Sequence, residues 1–227
     1  MTTKSLRDLA MPAFTSGVLM ALYLLARPYG DRGSDADLAA ALSSGWWMVA
    51  HVAGILALAQ FARTALRLAD VITGVTARLG RWAALAGLTL VLPYYGAEAF
   101  ELHVIAQRSS VGGDSLALVD QVRTQPAAMT MFGLGLLLLA VAAVCVAVAW
   151  QRATAGRGRW AAWPLAAFVI LLLPQFYLPA PGRMAYGVGY ALAATLLAVT
   201  AWHRPATAEP GDAHQGTTTS AAAAHAG

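Results

Sequence analysis

Six apolar runs follow one another along the chain, each close to the ~20 residues that an α-helix needs to cross the hydrocarbon core of a bilayer. They predict helices at roughly 9 to 27, 46 to 67, 82 to 102, 127 to 150, 160 to 179 and 185 to 203. Polar residues collect between them: Arg32, Asp35 and Asp37, then Arg67, Asp70, Arg78 and Arg81, then Arg108, Asp114, Asp120 and Arg123. Arg152, Arg157 and Arg159 fill the fourth connection, and the proline-rich turn LPAPGRM with Arg183 makes the fifth. The expected fold class is therefore all-α, a polytopic membrane protein with six transmembrane helices over residues 1–204. Residues 205–227 are rich in Ala, Thr and Gly with no apolar period, and read as a disordered cytoplasmic tail.

An even number of spans puts both termini on one side. If that side is the cytoplasm, the inner segments hold Lys4, Arg7, Arg63, Arg67, Arg78, Arg81, Arg152, Arg157, Arg159 and Arg204, ten of the fifteen basic residues. Arg27, Arg32, Arg108, Arg123 and Arg183 remain outside. This bias sets the expected orientation, N-in and C-in, in the plasma membrane. The first span has the short basic start of a signal sequence but no small-x-small cleavage site before Arg27, so it is expected to stay as an anchor.

Composition agrees: 59% of residues are hydrophobic and 11% charged, against about a quarter charged in soluble domains. Sorting of basic residues to the inner face accounts for a pI near 9.6 with no nucleic-acid partner, leaving the lipid bilayer as the partner the sequence implies. The single cysteine, Cys145, lies in an apolar run and reads as a small core residue. Trp46, Trp47, Trp82, Trp150, Trp160 and Trp202 stand at span ends, where amphipathic rings favour the headgroup level. Small residues four apart, such as Ala50 with Gly54, Ala83 with Gly87 and Gly187 with Ala191, read as helix-packing positions.

Candidate chemistry gathers in the outer half. Counting outward from Trp82, Glu98 falls about one turn inside the boundary, Glu101 at it and His103 just beyond. At an ideal helical period Tyr94, Tyr95, Glu98 and Glu101 share a face, while His103 points away. His51 lies about 6 to 8 Å below the outer surface on the second span. The first span adds Ser16, Met20, Tyr23 and Arg27 at helical spacing, and the sixth adds Arg183, Tyr186 and Tyr190. An ionisable group inside hydrocarbon needs a partner or a wet cavity. Glu98 and His51 meet that criterion best, either as working groups or, for Glu98, in an ion pair with Arg27 or Arg183.

The segments GWWMVAHVAG, PYYGAEAFELHVIA and LPQFYLPAPGRMAYG resemble those of small multispan integral membrane proteins of high-GC actinobacteria. The resemblance runs from about Gly45 to Trp202. It implies a shared six-helix core with an outer cluster on His51, Tyr95, Glu98 and Arg183, and brings no established activity with it.

Three classes of function follow. The first is an outward-open polar pocket that binds or moves a small molecule or proton, transporter-like or sensor-like, with Glu98 exchanging charge beside His51. The candidate set for it is His51, Glu98, Glu101, Tyr95, Arg27, Arg183, Tyr186 and Tyr190, with no cofactor. The second is a metal-dependent membrane enzyme with His51, Glu98 and Glu101 as ligands, although HExxH and paired Glu-x-x-His motifs are absent. The third is a non-catalytic assembly or accessory protein whose polar cluster locks helices together. Neither GxxxxGK[ST] nor GxSxG occurs, which argues against ATP-driven and serine-hydrolase chemistry.

Overall fold

The computed structural model describes residues 5–109 and 117–204; the expected tail at 205–227 and Asp114 lie outside the described residues. Among the described residues there is no strand. The helices are α1 (Ala10–Ala26, led by a 3-10 turn over Leu6–Leu9), α2 (Asp35–Ser43), α3 (Gly45–Val71) and α4 (Val75–Gly96). A π-helical turn over Ala97–Glu101 then leads into α5 (Leu102–Ser109). Next come α6 (Ala117–Arg123), α7 (Pro126–Ala153), a 3-10 turn over Arg157–Trp160, α8 (Ala162–Ile170), α9 (Leu172–Gln175) and α10 (Ala180–Trp202).

Five helical stretches are long and apolar enough to cross a membrane: Leu6–Ala26, Gly45–Val71, Val75–Arg108, Pro126–Ala153 and Ala180–Trp202. Their outward faces carry Phe14, Val18, Leu22, Leu137, Val141, Leu192 and Leu196, all large, apolar and exposed. Such continuous apolar surface belongs against acyl chains rather than water, and the chain reads as a multi-pass membrane protein. The expected fifth span, 160 to 179, is instead a segmented helix. Proline lacks an N–H and crowds the carbonyl four residues back. Pro164 and Pro174 face Trp160 and Ile170 in this way, and the breaks fall at Ala161 and Leu171, immediately after those two residues. The third span also differs, since helix continues through the π turn to the end of α5 rather than stopping near 102.

Small residues set the helix contacts. α4 packs along α7, and a Cβ on Gly87 would stand 2.8 Å from the Gly135 carbonyl oxygen and 2.9 Å from the Leu139 nitrogen. α1 packs on α10 through Gly17, whose added Cβ would meet Ala194 Cβ at 2.8 Å, and on α3 where Gly54 admits the Tyr23 ring. These are backbone approaches that van der Waals packing in lipid rewards. A hydroxyl relay crosses the same three helices: Tyr190 donates to Ser16 at 3.1 Å, and Ser16 donates to the Ala57 carbonyl at 2.8 Å.

At one end of the bundle α2, α5 and α6 form a small cap with its own core of Leu42, Trp47, Leu102, Ala106 and Val119. Ser34 caps α2, and its hydroxyl and backbone N–H hold the Asp37 carboxyl below the ordinary carboxylate range. Trp46, Trp160 and Trp202 are exposed at helix ends, as an interfacial belt requires, and Trp82 is exposed about two turns inside α4 rather than at its start. Trp47 and Trp150 are not belt residues; both are fully buried. Trp150 donates its indole N–H to the Gly158 carbonyl at 2.9 Å, fastening the turn before α8 to α7.

The backbone contact at Gly87 makes a direct test. Gly87→Val must push α4 and α7 apart, and is expected to lower stability by about 1–3 kcal/mol. Thermal unfolding of the detergent-solubilised protein measures this, and an unchanged midpoint would contradict the close contact.

Candidate functional site

The cap end of the bundle encloses a cavity of about 310 Å³. Its walls come from α1 (Tyr23, Arg27), the following loop (Asp31, Arg32), α3 (His51), α4 with its π turn (Tyr94, Tyr95, Glu98) and α6 (Arg123). The start of α7 supplies Met129, Phe132 and Gly133, and the α9–α10 region supplies Leu173, Phe176, Tyr177 and Arg183.

Helical geometry explains how Glu98 enters this wall. In the π turn each N–H reaches one residue further back than in an α-helix, so the face drifts as the chain passes through. Glu98 and Ala99 turn inward, Phe100 and Glu101 turn outward and are exposed, and Leu102 with His103 turns into the cap. The ideal-period expectation that Glu98 and Glu101 share a face fails for this reason. A widened turn also leaves main-chain groups in need of partners, and the fully buried Trp47 donates its indole N–H to the Glu98 carbonyl at 2.7 Å.

His51 and Glu98 line one cavity, yet no direct hydrogen bond between them is present among the described residues. Trp47 joins them instead. Its carbonyl lies 2.8 Å from His51 Nδ1, and since a carbonyl only accepts, Nδ1 is the donor and Nε2 of the neutral ring is an acceptor. The imidazole packs on the Trp47 ring at 4.3 Å between centroids and meets the Tyr23 ring edge-on at 5.3 Å. Tyr23 in turn stands 6.0 Å from Tyr95.

The Glu98 carboxylate belongs to Arg123, which approaches it with Nε at 2.9 Å and Nη2 at 3.2 Å, a fork on both oxygens. Neither Arg27 nor Arg183 is its partner. Arg27 pairs with Asp31 at 2.7 Å, and Asp31 stands 3.8 Å from Arg123, so the four groups run as an alternating chain Arg27, Asp31, Arg123, Glu98. Arg27 also lies over the Trp47 ring at 4.6 Å, with Arg123 at 5.8 Å from the same ring. Arg183 is buried and donates to the carbonyls of Leu178 and Phe176.

Of the residues singled out from the sequence, His51, Tyr95, Glu98, Arg27 and Arg183 meet at the cavity. Tyr186 and Tyr190 are buried outside its lining, Tyr186 donating to the Phe168 carbonyl. Glu101 is exposed, so the three groups of the metal alternative do not converge, and no cluster of three or more His, Cys, Asp or Glu occurs among the described residues. His103 sits under the cap with Nδ1 donating to the Leu42 carbonyl at 2.8 Å, and Nε2 accepting from Gln107 at 3.0 Å.

Sequence reasoning missed Asp31, Arg32, Trp47, Arg123, Phe132 and Phe176 as parts of the site. One signal was available. Of the five arginines that the loop count leaves outside, against the usual bias, four line the cavity.

No protein-family model, curated protein or solved structure matches this chain.

A double-mutant cycle on Glu98 and Arg123 tests the fork. Arg123→Met leaves the largely buried Glu98 carboxylate without its cation and is expected to destabilise by about 1–3 kcal/mol, less than for a fully dry pair because both partners keep some solvent contact. Glu98→Gln in that background should recover part of the loss. Strict additivity of the two unfolding free energies would remove the fork from the account.

Proposed function

We propose that this is a six-span plasma-membrane protein, both termini cytoplasmic, whose outward-facing cavity binds a small ligand. The observation that carries the reading is the cavity itself. Seven chain regions contribute to it, it lies at the bundle end where the loop count is least basic, and its wall mixes aromatic rings with ionisable groups. In a membrane-embedded bundle such groups are retained where they meet ligands, ions or protons.

Support for a sixth crossing comes from the segmented helix. Its three pieces run from Arg157 to Gln175 with single-residue interruptions and pack against α7 and α10. A helix broken at prolines is tolerated at membrane depth where neighbouring helices cover the freed carbonyls. With that crossing included, Ser5 and Arg204 stand on the same side, and Ser34 and the cap stand on the other.

In this reading His51 and Glu98 have separate roles. Glu98 holds Arg123, and through it α6, against the cavity wall. His51, with Nδ1 occupied by the Trp47 carbonyl, has Nε2 as its remaining polar atom for a ligand or proton. The binding function is favoured over a purely assembling role because helix-locking alone calls for side chains that close on one another, and these surround about 310 Å³ of space.

Two experiments check this. In intact cells a membrane-impermeant maleimide should label Ser34→Cys, and should reach Ser5→Cys and Arg204→Cys only after permeabilisation; labelling of Arg204→Cys from outside sinks the even-span topology. Gly133 lines the cavity, and a Cβ there meets nothing within 4 Å. Gly133→Phe should therefore fill the space without displacing backbone. Small molecules that raise the unfolding temperature of the wild-type protein should lose that effect in Gly133→Phe, and hits indifferent to the substitution would count against a ligand site here.

A further inference from the structure

The cavity is electrically unbalanced. Arg27, Arg32, Arg123 and Arg183 line it against two carboxylates, Asp31 and Glu98, an excess of two positive charges among the described residues. Both carboxylates are already engaged, Glu98 by the Arg123 fork and Asp31 by Arg27 at 2.7 Å. Arg32 and Arg183 have no carboxylate within ion-pairing distance among the described residues.

These two guanidiniums come from different parts of the chain, the loop after α1 and the first turn of α10, and converge on one acceptor, the Phe176 carbonyl oxygen. A carbonyl orients a guanidinium but supplies only a partial charge. Each guanidinium has five N–H donors in a planar fork, so most of their donor capacity is left for another acceptor. Arg183 is only 4% exposed, and a buried cation beside a second cation is costly unless an anion completes the group. Arg32 lies at the exposed edge of the same cavity.

The rest of the lining is largely apolar. Phe132 stacks on Tyr94 at 4.4 Å between centroids and stands 5.7 Å from Phe176. Exposed Met129, Leu173 and Tyr177 continue that surface outward. A bare inorganic anion would use the arginines and leave this wall without a role. A cationic ligand would meet the charge excess, and a neutral one would leave it uncompensated.

We propose that the cavity receives an amphipathic organic anion, with its carboxylate or phosphate group on Arg32 and Arg183 and its apolar body against Phe132 and Phe176. This rests on the ligand-binding reading given above and names the chemical class of the ligand. At about 310 Å³ the cavity admits a headgroup and a short apolar portion, with any longer chain leaving past Met129 and Tyr177. The anion has two sources, a water-borne metabolite or an acidic lipid of the surrounding leaflet. Both present the same group to the arginines.

The test uses the full-length protein in neutral detergent and three probes of equal chain length: octyl phosphate, octanol and octyltrimethylammonium. Octyl phosphate should raise the unfolding temperature saturably and more than either other probe, with the effect weakening as salt is added. Arg32→Gln and Arg183→Gln should each weaken octyl phosphate binding by at least about tenfold, and Gly133→Phe should abolish it. Arg32→Gln is the safer variant because its site is exposed. If octanol binds as well as octyl phosphate, is blocked by Gly133→Phe and ignores both arginine variants, the anion proposal falls while the binding cavity survives. If Gly133→Phe affects no probe, both fall. Native mass spectrometry after reconstitution in phosphatidylglycerol and phosphatidylcholine separates the sources. A phosphatidylglycerol adduct that Arg32→Gln and Arg183→Gln lose identifies a lipid ligand, and octyl phosphate binding with no such adduct identifies a water-borne one.

Discussion

Trp47 bonds to both candidate groups at once. Its carbonyl accepts from His51, its indole N–H donates to the Glu98 main chain, and its ring lies beneath Arg27 and near Arg123. With no side-chain surface open to water, the residue converts one helix end into a node that fixes three others. A hydrogen bond to a buried carbonyl is modest in net worth, about 1 kcal/mol, but leaving that carbonyl without a partner is more costly. In a membrane-embedded bundle, where water is scarce, the asymmetry grows. The π turn that brings Glu98 inward is therefore tolerable because Trp47 is there to receive it.

Electrostatics follows from that node. Arg27 and Arg123 share the Trp47 ring, which places two cations close together, and Asp31 and Glu98 alternate with them. This arrangement consumes the carboxylates near the cavity. It leaves Arg32 and Arg183 without a carboxylate at ion-pairing distance among the described residues. Cap and bundle are joined by the same contacts, since Arg123 is carried by α6 and Glu98 by the π turn. Cavity wall and cap are thus joined through one ion pair.

Below this level the bundle is held by shape. Gly87 and Gly135 let α4 and α7 meet backbone to backbone, and Gly17 does the same for α1 and α10. Lipid offers no hydrophobic drive to bring helices together, so close approach and shared hydroxyls such as Tyr190 and Ser16 do that work. Prolines act in the opposite sense. Pro164 and Pro174 interrupt the segment before α10, and Tyr186 of α10 ties back to it by donating to the Phe168 carbonyl.

Long apolar runs determined the helices, because apolar length is a local property that a bilayer reads without reference to the rest of the chain. The positions of His51, Glu98, Arg27 and Arg183 near one end were legible by counting residues, for the same reason. Where periodicity departed from the α-helical value, counting failed: Glu101 was assigned to the face of Glu98, and only the π turn separates them. The partners of the charges were equally out of reach. Asp31 and Arg123 are separated by 92 positions in the chain, and Arg32 and Arg183 by 151, so their meeting depends on how helices pack and loops fold back. Side-chain identity is written in the sequence, but the sign of a cavity is a sum over residues that only tertiary packing assembles.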